Sequence, residues 1–216
     1  KGYDENFNKV EISIPPTLLI SSIGVVNDIR KAQTIDFKFA GDLIYLIGIT
    51  SDETGCSQYN ALMGNLIKGK AFTGENVPEV DALLFKKIYY ATEKAISDEL
   101  ISSSISLEKG GLAIALAKSA IAGIIGCEIR LKDVQTKNVL RNDIILYSES
   151  QGRLLVSVNP SLKDKFEGYF KDLPISLIGT VRDDSEFIIY GQKDELLIHS
   201  NVDELNLNYR KTLNIY

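Results

Sequence analysis

Two adjacent glycines, Gly110 and Gly111, stand between a Ser-Leu-Glu-Lys stretch and the apolar run LAIALA. Two uses suit that spacing. The first N–H groups of a helix point outward and attract negative charge, and small residues let a phosphate come close. Alternatively, glycine lets a buried helix start pass close to a neighbouring strand. The pair matches neither the P-loop nor the dinucleotide-binding spacing. Taken by itself it reads first as packing.

The second candidate is TSDETGCSQY, residues 50–59, which follows an apolar strand. Open α/β sheets hold ligands in loops at strand C-terminal ends. Thr50, Gly55 and Ser57 are the residues of interest, and Ser57 offers a hydroxyl and an N–H to a phosphate. An ordinary strand-to-helix connection fits equally well. The third candidate is YSESQGR, residues 147–153, which supplies Ser148, Glu149, Ser150 and Arg153. Glu149 suits a cation or an amine. The simpler reading is a hairpin turn with a solvent-facing Glu149–Arg153 pair, worth little to stability.

No residue is assigned as catalytic. His199 is the only histidine. It reads as a bystander, and no GxSxG elbow accompanies it. The lack of a second His and of a CxxC argues against a Cys/His metal site, and no metal ligand is assigned. Cys56 and Cys127 lie far apart and read as small buried hydrophobes in a cytoplasmic protein.

The 216 residues suffice for one large domain or two small ones. Hydrophobic content is 44%, charged content 25% and net charge −5, ordinary values for a globular protein. Lys and Arg do not cluster, which argues against a nucleic-acid partner. No apolar run approaches the ~18–20 residues of a membrane span, and no secretory signal is visible. The chain opens on Lys1 and reads as part of a longer one.

Positioning these candidates requires a scaffold of alternating elements. Residues 1–8 are polar and read as loose. Pro15 and Pro16 divide an alternating piece, 10–14, from a β-branched run, 18–26, which reads as a buried strand. Polar residues 27–36 mark a module boundary. GDLIYLIGIT, 41–50, is a strand apolar enough to be covered on both faces. A short helix follows the 50–59 loop. A longer one runs over 81–100, with Asp81 at its start and Leu84, Ile88, Ala91 and Ala95 forming an apolar stripe. ISSSIS is a short strand, and 111–122 is a helix that is apolar almost all round. CEIRL is a strand. ILYSESQGRLLVSVNP reads as a strand on either side of a polar turn. A helix capped by Ser161 buries Leu162, Phe166 and Phe170. ISLIGTV and EFIIYG are strands, and the remainder reads as a polar tail. The fold class is α/β (α+β): a mixed sheet with helices packed on it in two or three layers.

The ordered set IPPTLLISSIGVVND, FKFAGDLIYLIGIT, ETGCSQY, VPEVD, KGGLAIALA, YSESQGRLLVSV and IGTV resembles one family. It is similar to the C-terminal part of the phosphoribosylformylglycinamidine synthase large subunit, and more broadly to the aminoimidazole ribonucleotide synthetase superfamily of ATP-dependent enzymes. The resemblance spans roughly residues 10–190 and implies a layered synthetase C-terminal fold. Residues 1–34 would end a preceding ATP-binding A module, and residues 35–216 would form the C-terminal B module.

The intact ligase would use ATP, Mg²⁺ and ammonia from glutamine to convert the formamide of formylglycinamide ribonucleotide to an amidine. Its partners would be the rest of the subunit, a glutaminase subunit and a small accessory subunit. This part alone would bind no cofactor and be inactive. Thr50, Gly55, Ser57, Gly110, Gly111, Ser148, Glu149, Ser150 and Arg153 would line a substrate or phosphate cleft, with loops 50–57, 108–111 and 148–153 gathered at one edge.

The sequence also departs from the family pattern. Cys56 interrupts a Gly-Gly-Ser. Ile105 and Ser106 stand where His-Asp is usual, and Glu108 and Lys109 follow, so the glycine pair lacks partners for acid–base chemistry. Two other readings remain open. One is a superfamily relative acting on selenide, thiamine phosphate or a hydrogenase maturation substrate; the other is a purely structural module.

Overall fold

The computed structural model describes residues 2–10, 17–26, 28–70 and 72–211. The chain divides into two units, Lys1–Arg30 and Lys31–Tyr216.

In the smaller unit, β1 (Gly2–Tyr3) and β2 (Lys9–Val10) pair antiparallel. Asp4 makes the turn between them: its carboxylate accepts the backbone N–H of Asn6 at 2.9 Å and of Asn8 at 2.8 Å. A side chain that bonds backbone two residues on substitutes for a backbone turn. It orders a segment whose polarity alone reads as loose. The expected strand 10–14 lies, beyond Val10, outside the described residues. The expected buried strand 18–26 does not form: 18–26 has no regular structure, and Leu18, Leu19, Ile20, Ile23 and Val25 are exposed. An apolar strand is buried only when ladder partners and covering layers exist, and no described strand is laddered to this one.

The larger unit contains β3 (Leu43–Ile47), β4 (Thr50–Ser51), α1 (Gln58–Lys68), α2 (Ala82–Ser97), β5 (Ser103–Ser106), α3 (Gly111–Gly123), β6 (Cys127–Arg130) and β7 (Thr136–Lys137). It continues through α4 (Asn142–Tyr147), β8 (Leu154–Val158), α5 (Lys163–Tyr169), β9 (Ile175–Val181), β10 (Glu186–Tyr190), β11 (Leu196–Asn201) and α6 (Val202–Arg210). Seven strands form one mixed sheet in the order β11-β10-β6-β9-β3-β8-β5. Its ladders are antiparallel except β6 with β10. Consequently β9 and β10, consecutive in the chain, are separated by β6. The short strands β4 and β7 pair in parallel, Thr50 opposite Thr136.

β3 shows why the fold has three layers. Ile44, Tyr45, Leu46 and Ile47 all have 0% exposure. Side chains alternate across a strand, so Ile44 and Leu46 join one core and Tyr45 and Ile47 the other. The first core holds Leu112 and Leu116 of α3, Ile144 and Ile145 of α4, and Val202 of α6. The second holds Ile88 and Ala95 of α2, with Phe166 of α5 and the adjacent Phe170. The stripe expected on α2 is the face that packs: Ile88, Ala91 and Ala95 are buried, and Asp81 caps the helix by accepting the Leu84 N–H at 2.9 Å.

Three sequence readings are corrected here. The segment before SES is the helix α4 and not a strand: Ile144, Ile145 and Leu146 are buried on consecutive positions, because this short helix is covered on several sides. Ser161 does not cap α5: it lies in a 3-10 turn, Pro160–Leu162, that Asn159 caps by accepting the Ser161 N–H at 2.9 Å, and α5 itself, with Leu162 at its N-cap, has no side-chain cap. The expected polar tail is β11 followed by α6. β11 is an edge strand with its side chains largely in solvent, so its sequence lacks a core signature, and Asn201 starts α6 by accepting the Glu204 N–H at 2.9 Å. Among the described residues no helix is long and apolar enough to cross a membrane.

Candidate functional site

Loops 50–57, 108–111 and 148–153 meet at one place. Glu149 is the junction. Its Oε1 accepts the backbone N–H of Gln58, the first residue of α1, at 3.0 Å and that of Gly110, the N-cap of α3, at 2.9 Å. Its own N–H donates to the Glu53 carbonyl at 3.1 Å. The flanking serines complete the knot. Ser148 Oγ donates to the Ser51 carbonyl at 2.7 Å, and Ser150 Oγ accepts the Ser51 N–H at 3.1 Å. Helix starts favour negative charge, and a hydrogen bond to a charged group contributes about 1.5–3 kcal/mol. The free amides at the two helix starts are thus served by the protein's own carboxylate. Glu149, expected to face a cation or an amine, faces backbone donors.

The two glycines differ in what they contact. Gly110 contributes the N–H that meets Glu149. Gly111 is a packing residue: with φ +63°, a methyl group there would stand 2.3 Å from the Ser148 carbonyl oxygen. Gly55 is also packed, donating its N–H to the Asn76 carbonyl at 2.7 Å. Ser57 is buried and caps α1, its Oγ accepting the Asn60 N–H at 3.1 Å.

Arg153 is not in solvent; it is 1% exposed. Its guanidinium donates to the Ser150 carbonyl at 3.0 Å, to Thr50 Oγ1 at 2.9 Å and to the Ser148 carbonyl at 2.6 Å. Burial pushes its pKa down to about 10, and the carboxylates of Glu53 and Glu149 act against that fall. The expected solvent-facing Glu149–Arg153 pair is therefore replaced by a buried arginine that ties its own loop to β4.

Openings flank the knot. One, of about 230 Å³, is lined by Ser51, Glu53, Asp81, Lys137, Ser150 and Gln151 among others. Another, of about 360 Å³, lies beside the start of α1 against Asp52, Tyr59, Asn60 and Arg141. Of the sequence-derived candidates, only Ser150 lines either one. Thr50, Ser57, Ser148 and Arg153 are buried beneath.

Sequence reasoning missed a cluster at the second opening. Tyr59 Oη donates to Asp143 Oδ2 at 2.5 Å, and Arg141 Nε donates to Asp143 Oδ1 at 3.0 Å. The Tyr59 ring stacks on Tyr147, with centroids 5.0 Å apart and planes 2° from parallel. Burial and the Asp143 carboxylate push the Tyr59 phenol up to about 12. No local motif marks a pair 84 residues apart.

His199 lies on the edge strand β11, its Nε2 2.5 Å from Glu186 Oε2. Cys127 is fully buried, which raises its thiol pKa strongly. Cys56 is exposed, contrary to expectation, and has a φ of +58° just before α1. Among the described residues no group of three or more His, Cys, Asp or Glu could hold a metal ion.

The class is that of a mixed-sheet α/β module with a loop knot at its helix starts. The sequence profile described as "AIR synthase related protein, C-terminal domain" matches residues 40–192, and the chain belongs to that family. Among curated relatives, the phosphoribosylformylglycinamidine synthase subunit PurL of Alkaliphilus metalliredigens is 37% identical over 192 residues, 88% of this chain and 23% of the relative. The subunit of the same name from Methanocaldococcus jannaschii is 34% identical, covering 92% of this chain and 26% of its own length. The chain thus spans about a quarter of the length of these relatives. Thermotoga maritima PurL complexed with FGAR has the same fold, with a TM-score of 0.70 at 18% identity over 82% of this chain and 30% of that one. So does Escherichia coli HypE, a hydrogenase maturation protein, with a TM-score of 0.56 at 17% identity over 78% of this chain and 52% of that one.

Proposed function

We propose that this chain is the C-terminal part of a phosphoribosylformylglycinamidine synthase subunit, a cytoplasmic ATP-dependent C–N ligase of purine biosynthesis. Residues 1–34 end an A module and residues 35–216 are the B module. The intact enzyme converts formylglycinamide ribonucleotide to its amidine. It uses ATP, Mg²⁺ and ammonia released by a glutaminase subunit, with a small accessory subunit in the complex. The observation that carries this reading is the 37% identity over 88% of the chain to a subunit of that name. The family profile supports the synthetase class.

Within that enzyme the chain's own residues shape the cleft and perform no bond-making step. They do not fit a metal–nucleotide site: no acidic cluster suited to a cation occurs among the described residues, and the amides best placed for a phosphate already hold Glu149. Phosphoryl transfer needs a metal and donors that neutralise the phosphates, and these fall to the rest of the subunit. On this reading, turnover requires the intact subunit.

The test is growth of a purine-requiring strain that lacks its own synthase subunit. Supplied with the full-length subunit and its partner subunits, it should grow without added purine. Failure to grow, with all subunits present in soluble form, contradicts the proposal.

A further inference from the structure

We infer that Glu149 is a positioning residue that serves as the resident anion of this fold. Its carboxylate fills the amide pocket shared by the starts of α1 and α3, closes that pocket to substrate phosphate, and holds the three loops as one unit. Only the kinetic consequence rests on the synthase reading; the latch itself does not.

Three observations carry it. First, one oxygen takes two N–H donors from elements far apart in the chain, 91 and 39 residues from Glu149. Two convergent helix-start amides are the usual furniture of a phosphate site, and here a side chain occupies it. Second, the carboxylate cannot easily withdraw. Its backbone N–H is bound to the Glu53 carbonyl, and its neighbours Ser148 and Ser150 are 0% and 2% exposed and bonded to Ser51. Third, the negative charge has a built-in counterpart. Buried Arg153 sits in the field of Glu149 and Glu53 and donates to the carbonyls of Ser148 and Ser150 on either side of Glu149. Removing the carboxylate would empty the amide pocket and leave Arg153 with a single carboxylate counter-charge. A loop displaced by about 1 Å costs on the order of 100-fold in an oriented reaction.

The experiment uses the full-length subunit with Glu149→Ala, in the presence and absence of sodium formate, with sodium chloride as the ionic-strength control. Glu149→Ala should lower kcat by about 10- to 100-fold with a smaller change in KM, and lower Tm. Formate should restore part of both, while leaving the parent enzyme unchanged. A crystal of the variant should show formate between the Gln58 and Gly110 amides. A merely structural role would leave the defect insensitive to formate.

Tm rescue and the crystal are read without any turnover, so the latch stays testable if the substrate assignment fails. If Glu149→Ala does not fold, Glu149→Gln carries the test. It retains an oxygen for both amides but lacks the charge, and should fold with lowered Tm. Three results overturn the inference: a Glu149→Ala defect that formate and chloride affect equally, a Glu149→Gln variant indistinguishable from the parent in Tm and kcat, or inorganic phosphate bound at the Gln58 and Gly110 amides of the unmutated enzyme.

Discussion

Arg153 Nη1 donates to Thr50 Oγ1 across 2.9 Å, with the arginine 1% exposed and the threonine at 0%. The bond joins the loop after α4 to the strand that leads toward α1. A charge this deep is tolerated because its donors meet two carbonyls and a hydroxyl. Arg153→Met keeps much of the volume and removes every donor. It is expected to cost about 3 kcal/mol, the range for stranding buried acceptors. Urea unfolding of the full chain measures it. Arg153→Lys, which lacks the fork, should recover less than half. A loss below about 1 kcal/mol for the methionine variant would contradict this account of the knot.

Gly111 tests the packing half of the glycine pair. Its φ is +63°, and an added methyl would stand 2.3 Å from the Ser148 carbonyl. Gly111→Ala should destabilise by about 3 kcal/mol, combining a positive-φ penalty with a backbone clash. A methyl group on Gly168, within α5, would meet nothing within 4 Å. Gly168→Ala should be neutral or stabilise by about 0.5–1 kcal/mol. Equal effects from the two substitutions would be inconsistent with this geometry.

Asp42 predicts a pH dependence. It is 1% exposed and its Oδ2 has no hydrogen-bond partner. Burial raises its pKa above 3.8, only partly offset by hydrogen bonds from Ser102 and Ser157. The folded chain therefore holds this proton more tightly than the unfolded chain. The stability Asp42 contributes is full below the unfolded value and is lost as pH rises through the folded one. The difference in unfolding free energy between Asp42→Asn and the parent should grow in favour of the variant as pH rises out of the acid range. A difference that stays flat or shrinks would refute it.

Tyr59 titrates in the opposite range. Its phenol is pushed up to about 12 by burial and by Asp143. Folded protein keeps the proton that unfolded protein loses near 10, so stability falls as pH climbs from about 10 to about 12. Subtracting the alkaline ultraviolet titration of Tyr59→Phe from that of the parent should isolate one late-titrating phenol. The same substitution should cost about 1 kcal/mol at neutral pH for the lost hydrogen bond. A phenol titrating at its ordinary value would count against the Tyr59–Asp143 contact.

Legibility in the sequence followed the range of the interactions. β3 and α2 were readable because their causes are local: an unbroken apolar run for one, and a 3–4 stripe behind a capping Asp81 for the other. α4 was misread because Ile144, Ile145 and Leu146 present no helical period when a short helix is covered on several sides. β11 was missed because an edge strand carries little core signature. The loops of the site were legible through the ordered resemblance, but their roles were not. Glu149 finds its donors 91 and 39 residues away, and no spacing rule reveals that Arg153 turns inward. The run 18–26 shows the reverse case: its composition is that of a buried strand, yet it has no regular structure and Leu18, Leu19, Ile20, Ile23 and Val25 are exposed.

The central claim is tested most directly by the product the full-length subunit forms from formylglycinamide ribonucleotide, ammonium, ATP and Mg²⁺, identified by mass spectrometry. The account predicts the amidine, with the formamide oxygen replaced by nitrogen and ADP and phosphate released in equal amounts, and no product from residues 1–216 alone. Absence of the amidine with the intact subunit, or its formation by this part alone, would contradict the account.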